Sequence, residues 1–169
     1  MKRTILAALA LALGTTSFAA PTKEPLLSKE VKTTGFTDLV VNADVTIVLL
    51  NDDSKTVRME GDETFMKAIS VTQKGGRLII RGASQHNYKK NGVIYVPARM
   101  LDFMEVNSEA FIKSLTTLNG PDLDVVINGK CKLVIATLGY INFIGTTLYD
   151  VEYDVREVRP ARDFVVGKE

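Results

Sequence analysis

The chain has 169 residues, 46% of them hydrophobic, with 21 Lys and Arg against 20 Asp and Glu, and a single His and a single Cys. A near-neutral balance gives no electrostatic footprint for nucleic acid or an anionic membrane surface. A lone Cys131 excludes an intramolecular disulfide, and a lone His86 excludes any metal site that needs two imidazoles.

Lys2 and Arg3 precede the apolar run "ILAALALAL" (Ile5 to Leu13), and "SFA" (Ser17 to Ala19) puts small residues at −3 and −1. This layout predicts a secretory signal peptide over 1–19, cleaved before Ala20. The run is far shorter than the roughly 18 to 20 residues that span a bilayer, so no transmembrane segment is expected. No Cys follows the small residues, which speaks against a lipid-modified N-terminus. Without Lys2 and Arg3 the balance moves from 21 against 20 to 19 against 20. Residues 20–35, polar and with two prolines, read as an extended or loosely docked linker, and 36–169 as one domain.

Strand signals then dominate: "TDLVV", "VTIVLL", "KTVRME", "ISVTQ" and "RLIIRG" are short, rich in Val and Ile, and separated by turn residues. "NDDS" (Asn51 to Ser54) and "KGG" (Lys74 to Gly76) are hairpin-grade turns, and the second predicts the hairpin "ISVTQ-KGG-RLIIR". Between them "GDETFMKAI" offers Asp62 as an N-cap with Phe65, Met66 and Ile69 at helical spacing, a helix too short to stand without packing on a sheet. A polar loop over 82–92 leads into "VIYVP". From Met100 on, strands centre on "FMEV", "FIKS", "LDVVI", "KLVIA", "YINFI" and "YDVEYDV". No long amphipathic helix interrupts them, so the class is all-β.

One arrangement recurs three times: "VNADVTI" (Val41 to Ile47), "VNSEAFI" (Val106 to Ile112) and "INGKCKL" (Ile127 to Leu133). Asn107 and Asn128 lie 21 residues apart, the length of one repeat unit in a stacked architecture, while the 65 residues from Asn42 to Asn107 come near three such periods. Asn adopts left-handed backbone conformations more readily than most residues, and a small follower keeps a corner uncrowded. Val45/Ile47, Ala110/Ile112 and Cys131/Leu133 then point one way and fill an interior. Copies stacked ~4.8 Å apart would let the Asn side chains form a ladder. Cys131 holds the slot of Val45 and Ala110, which reads as a small buried hydrophobe rather than a reactive thiol.

The stretches "F-x-D-L-V-V-N-A-D-V-T-I-V-L" (Phe36 to Leu49) and "V-R-M-E-G-D-E-T-F-M-K-A-I-S-V-T-Q-K-G-G-R-L-I-I" (Val57 to Ile80) resemble the opening of a bacterial exported-domain family, the autotransporter adhesin "head GIN" domain. "V-P-A-R-M-L-D-F-M-E-V-N-S-E-A-F-I" and "L-D-V-V-I-N-G-K-C-K-L" fit its later coils, and the resemblance covers roughly 36 to 145. The chain uses Asn where that family often has Ser or Gly at the corner. The resemblance implies a right-handed parallel β-helix-like solenoid and carries over no functional residue.

Catalytic patterns are sparse. His86 sits in a polar loop without the strand-nucleophile-helix setting of a triad, and no phosphate-cradling Gly loop or dinucleotide fingerprint occurs. The strongest candidate is "YDVEYDV", where Asp150, Glu152 and Asp154 share one face of a strand. Residues i and i+2 lie roughly 6.6 Å apart, within the range of paired glycosidase acids. The competing reading is a solvated acidic side whose partners Val151, Tyr153 and Val155 cover the last strand layer; carboxylates on a flat strand diverge rather than converge. "NDDS" lacks the rest of a calcium loop. These observations predict a non-catalytic exported protein of the cell envelope that binds or scaffolds, with envelope glycan or protein as partner and no cofactor or metal. The alternative is a carbohydrate-active hydrolase or lyase using Asp150, Glu152 and Asp154, and a third option is an assembly factor pairing through an exposed edge.

Overall fold

The computed structural model describes residues 26–83, 92–144 and the backbone of 152–157. Short Val- and Ile-rich runs become strands, in chain order β1 (Leu27–Lys32), β2 (Asp38–Asn42), β3 (Thr46–Leu50), β4 (Thr56–Gly61), then α1 (Glu63–Ala68), β5 (Ile69–Lys74), β6 (Arg77–Gly82), β7 (Gly92–Pro97), β8 (Phe103–Val106), β9 (Ala110–Ser114), β10 (Leu123–Ile127), β11 (Cys131–Thr137), β12 (Ile141–Phe143) and β13 (Glu152–Glu157). They form a seven-stranded sheet, β1-β4-β7-β3-β9-β11-β13, and a six-stranded sheet, β12-β10-β8-β2-β6-β5. Among the described residues the protein is all-β with one short helix. Residues 1–25, where the sequence pattern predicts a signal peptide, lie outside the described residues, as does His86.

Each Asn-led corner carries the chain from one sheet to the other: β2 to β3, β8 to β9, and β10 to β11. The strands before the corners pair in parallel (β2 with β8, β8 with β10), and so do those after them (β3 with β9, β9 with β11). Each strand pair is therefore one tier, and β6/β7 and β12/β13 add a tier on either side. Alternation decides what each tier buries. Leu39, Met104 and Val125 stand in one inner row of the six-stranded sheet, and Ile47, Ile112 and Leu133 in one of the seven-stranded sheet, all fully buried. Each such side chain contributes about 1.5–3 kcal/mol by leaving water. Val45, Ala110 and Cys131 line the corner side of the same core.

The three asparagines mark equivalent bends. Asn107 Nδ2 donates to Asn42 Oδ1 at 2.9 Å, and Asn128 Nδ2 donates to Asn107 Oδ1 at 2.7 Å. The backbone follows suit: Asn107 N donates to Val41 O and Asn128 N to Val106 O, each at 2.8 Å. The expected ladder is present, but for a different reason than backbone geometry. No described non-Gly residue has a positive φ. Asn is needed because its side chain both donates and accepts, so it can pair with a copy of itself above and below.

Three further expectations change. The 65-residue interval from Asn42 to Asn107 is a single step, since the two side chains touch. The described residues between, 51–83 and 92–100, lie on the far side of the β2/β3 tier, where β6 pairs with β2 and β7 with β3. "NDDS" does turn, with Asp52 Oδ1 accepting from Ser54 N at 3.1 Å, yet it joins no hairpin. β3 and β4 are separated by β7, to which β4 runs antiparallel. The "KGG" hairpin forms as expected, β5 against β6, with Gly75 at φ 57. Within the stretch read as a linker, Leu27–Lys32 forms β1 on the outer edge of β4.

α1 packs where the antiparallel strands gather, against β4, β5 and β1. Asp62 Oδ1 accepts from Phe65 N at 2.7 Å, satisfying one of the orphan amides of the first turn. Lys67 pairs with Glu63 one turn back at 2.6 Å, and holds that carboxyl below its ordinary range. Six residues cannot hold a helix alone, so burial of Phe65 and Ala68 supplies most of its stability. Asp62→Ala should still cost about 1 kcal/mol in urea unfolding, with an unchanged slope.

Candidate functional surfaces

Parallel register turns single outward positions into rows. On the seven-stranded sheet one outer row runs Val93, Thr46, Phe111 and Lys132, and the next runs Tyr95, Val48, Lys113 and Val134. Glu152 is in register with Lys132, and Asp154 with Val134, so two of the three acidic candidates hold alternate positions on the outermost strand of this sheet. Asp150 lies outside the described residues.

A cluster that local pattern reading misses lies at the other side of the same face. Arg58 stacks over the Tyr95 ring, 4.4 Å from guanidinium carbon to centroid, and pairs with Glu60 at 3.4 Å. Burial, and next the Glu60 carboxylate, push the Tyr95 phenol above its ordinary pKa, while the Arg58 charge opposes them. The antiparallel register of β4 and β7 makes Arg58 and Tyr95 direct cross-strand neighbours. The only local signal was the alternation Arg58-x-Glu60, an ordinary mark of an exposed strand face. On the six-stranded sheet, Asp38 meets its register partner Arg77 at 3.3 Å.

Gly35, Phe36, Asp52, Asp53, Ser54, Pro97 and Met100 line a cavity of about 40 Å³. Small-molecule sites run to about 300–1,000 Å³, so this one admits no more than a water-sized guest. Among the described residues no group of three His, Cys, Asp or Glu is placed to hold a metal ion, and no helix is long and apolar enough to cross a membrane.

Cys131 is buried, and burial pushes its thiol above the ordinary value, up to about 11. A thiolate is the reactive species, so a thiol reagent at pH 8 should label the unfolded chain promptly and the native chain only as fast as it opens. The linked effect on stability has a definite sign. The folded thiol holds its proton more tightly, so its contribution is whole below about pH 9 and drains away as pH rises towards 11.

Residues 35–144 match a family model described as "Putative auto-transporter adhesin, head GIN domain". The chain belongs to the head GIN domain family. No curated protein matches it. Among solved structures this head GIN domain is similar to a "putative adhesin" from Bacteroides fragilis NCTC 9343, at 17% identity and a TM-score of 0.52, over 70% of this chain and 61% of that one. A "putative adhesin" from Parabacteroides merdae ATCC 43184 is also similar, at 11% identity and a TM-score of 0.48, over 65% of this chain and 55% of that one. The chain thus spans about three-fifths of the length of these two structures. At 17% identity the likeness to the first of them concerns the fold.

Proposed function

We propose that this head GIN domain is an exported, non-catalytic binding module of the cell envelope. Its tiers wind into a right-handed β-helix-like solenoid over 36–169, following a signal peptide at 1–19 and a short lead-in at 20–35. The observation that carries this reading is the parallel register shared by both sheets, with its asparagine ladder. Stacked tiers generate flat faces of repeating side chains, which suit an extended glycan or protein partner better than a small substrate. The family description and the adhesin-like fold neighbour point the same way.

The test uses the exported full-length product. N-terminal sequencing should find a chain starting at Ala20. That product should bind envelope glycan or protein saturably, and Phe111→Ala or Lys113→Ala should weaken binding without moving the thermal midpoint. Turnover of an acidic or neutral polysaccharide that disappears in a folded Glu152→Ala variant would overturn the reading in favour of a hydrolase or lyase.

A further inference from the structure

We propose that the Asn128–Gly129 corner is a site of spontaneous covalent modification, in which the Asn128 side chain cyclises onto its own backbone and opens to Asp and isoaspartate, releasing one rung of the asparagine ladder. Two separate structural demands meet at this dipeptide. The ladder requires Asn at 128, whose Nδ2 reaches Asn107 Oδ1 at 2.7 Å. The corner requires Gly at 129, where a Cβ would stand 2.6 Å from Ser108 N and 2.8 Å from Ser108 O. A follower without a side chain leaves the backbone nitrogen open to the preceding amide. In the other two rungs the followers are Ala43 and Ser108, which both carry a Cβ over that approach.

The chemistry needs only water. The Gly129 nitrogen, on losing its proton to solvent base, attacks Asn128 Cγ. A C–N bond forms, the Cγ–Nδ2 bond breaks, and the nitrogen leaves as ammonia. Water then opens the five-membered imide at either carbonyl, giving Asp or isoaspartate. Asn128 is exposed, so water reaches it. Among the described residues it is also less held than its neighbour: Asn107 donates to both Asn42 and Glu105 and accepts from Asn128, whereas the Asn128 side chain bonds Asn107 alone.

Either product unlocks the rung. A carboxylate cannot donate to Asn107 Oδ1 and faces it acceptor to acceptor. Isoaspartate adds a carbon to the backbone at the corner, which disturbs the fit of residue 129 on Ser108 and the register of Cys131 with Ala110.

The full-length chain is aged folded in mildly alkaline buffer and, in parallel, unfolded in urea, then mapped by peptide mass spectrometry with isoaspartate resolved. In the folded sample Asn128 should lose its amide while Asn42 and Asn107 keep theirs. Asn119–Gly120, at the opposite corner and outside the ladder, serves as an internal reference. Conversion at Asn119 with Asn128 intact, equal conversion at Asn107, or conversion of Asn128 only in urea would each overturn the proposal. Asn128→Asp should lower the thermal midpoint by about 2–4 °C through the lost hydrogen bond; an unchanged midpoint would overturn the release of the rung.

Discussion

Phe65→Ala is expected to lower the unfolding free energy by about 3–5 kcal/mol, a large part of the total for one domain. Phe65 is fully buried on α1, and its ring rests against the start of β7. A Cβ at Gly92 would fall 2.4 Å from the Phe65 ring, so the glycine exists to admit the aromatic. Gly92→Ala should therefore cost about 1–3 kcal/mol alone through overpacking. In the Phe65→Ala background the same methyl enters vacated space, so the pair should be coupled by about 0.5–3 kcal/mol. Urea unfolding of the two single variants and the double variant measures this. Simple additivity would mean that ring and glycine do not share the space described.

The second large effect belongs to Gly129→Ala, which should cost about 1–3 kcal/mol. The groups a new methyl would meet are backbone atoms of Ser108, which cannot swing aside as a side-chain end can. The φ of Gly129 is not in the left-handed region, so strain there plays no part. Gly76→Ala is the matched control, because its Cβ would find only Thr37 Oγ1 at 3.7 Å. That substitution should be neutral, or stabilising by about 0.4–1 kcal/mol through the unfolded chain. Equal losses at both positions would mean that spacing between tiers is not what selects glycine at the corner.

Local features of this fold could be read directly from residue order. Alternation in "LDVVI" and "KLVIA" matches β10 and β11 closely, Asp62 caps α1, and Asn42, Asn107 and Asn128 stand on one line. Each of these depends on residues a few positions apart. Choice of neighbour did not show in the residues, because nothing near Asn51 announces that β4 will bypass β3 and lie antiparallel to β7. Nor does anything near Asn42 announce a partner 65 positions away. The surface cluster of Arg58, Glu60 and Tyr95 was hidden for the same reason, since it exists only through the β4–β7 register. The role given to Asn erred in mechanism: a residue known for unusual backbone angles was selected here for a self-complementary amide.

The sheet orders carry a consequence for how the chain must come together. The β2/β3 tier is earliest in sequence yet central in the stack, flanked by β6/β7 on one side and β8/β9 on the other. An array whose neighbours follow one another can zip up from its first unit as it emerges. This one cannot, because its middle layer gains one flank only once residue 97 is available and the other once residue 114 is. Nucleation should thus wait on distant segments and be slow for a chain of this length, and removing the C-terminal half would strip a face from the layer that is earliest in sequence rather than trim an end.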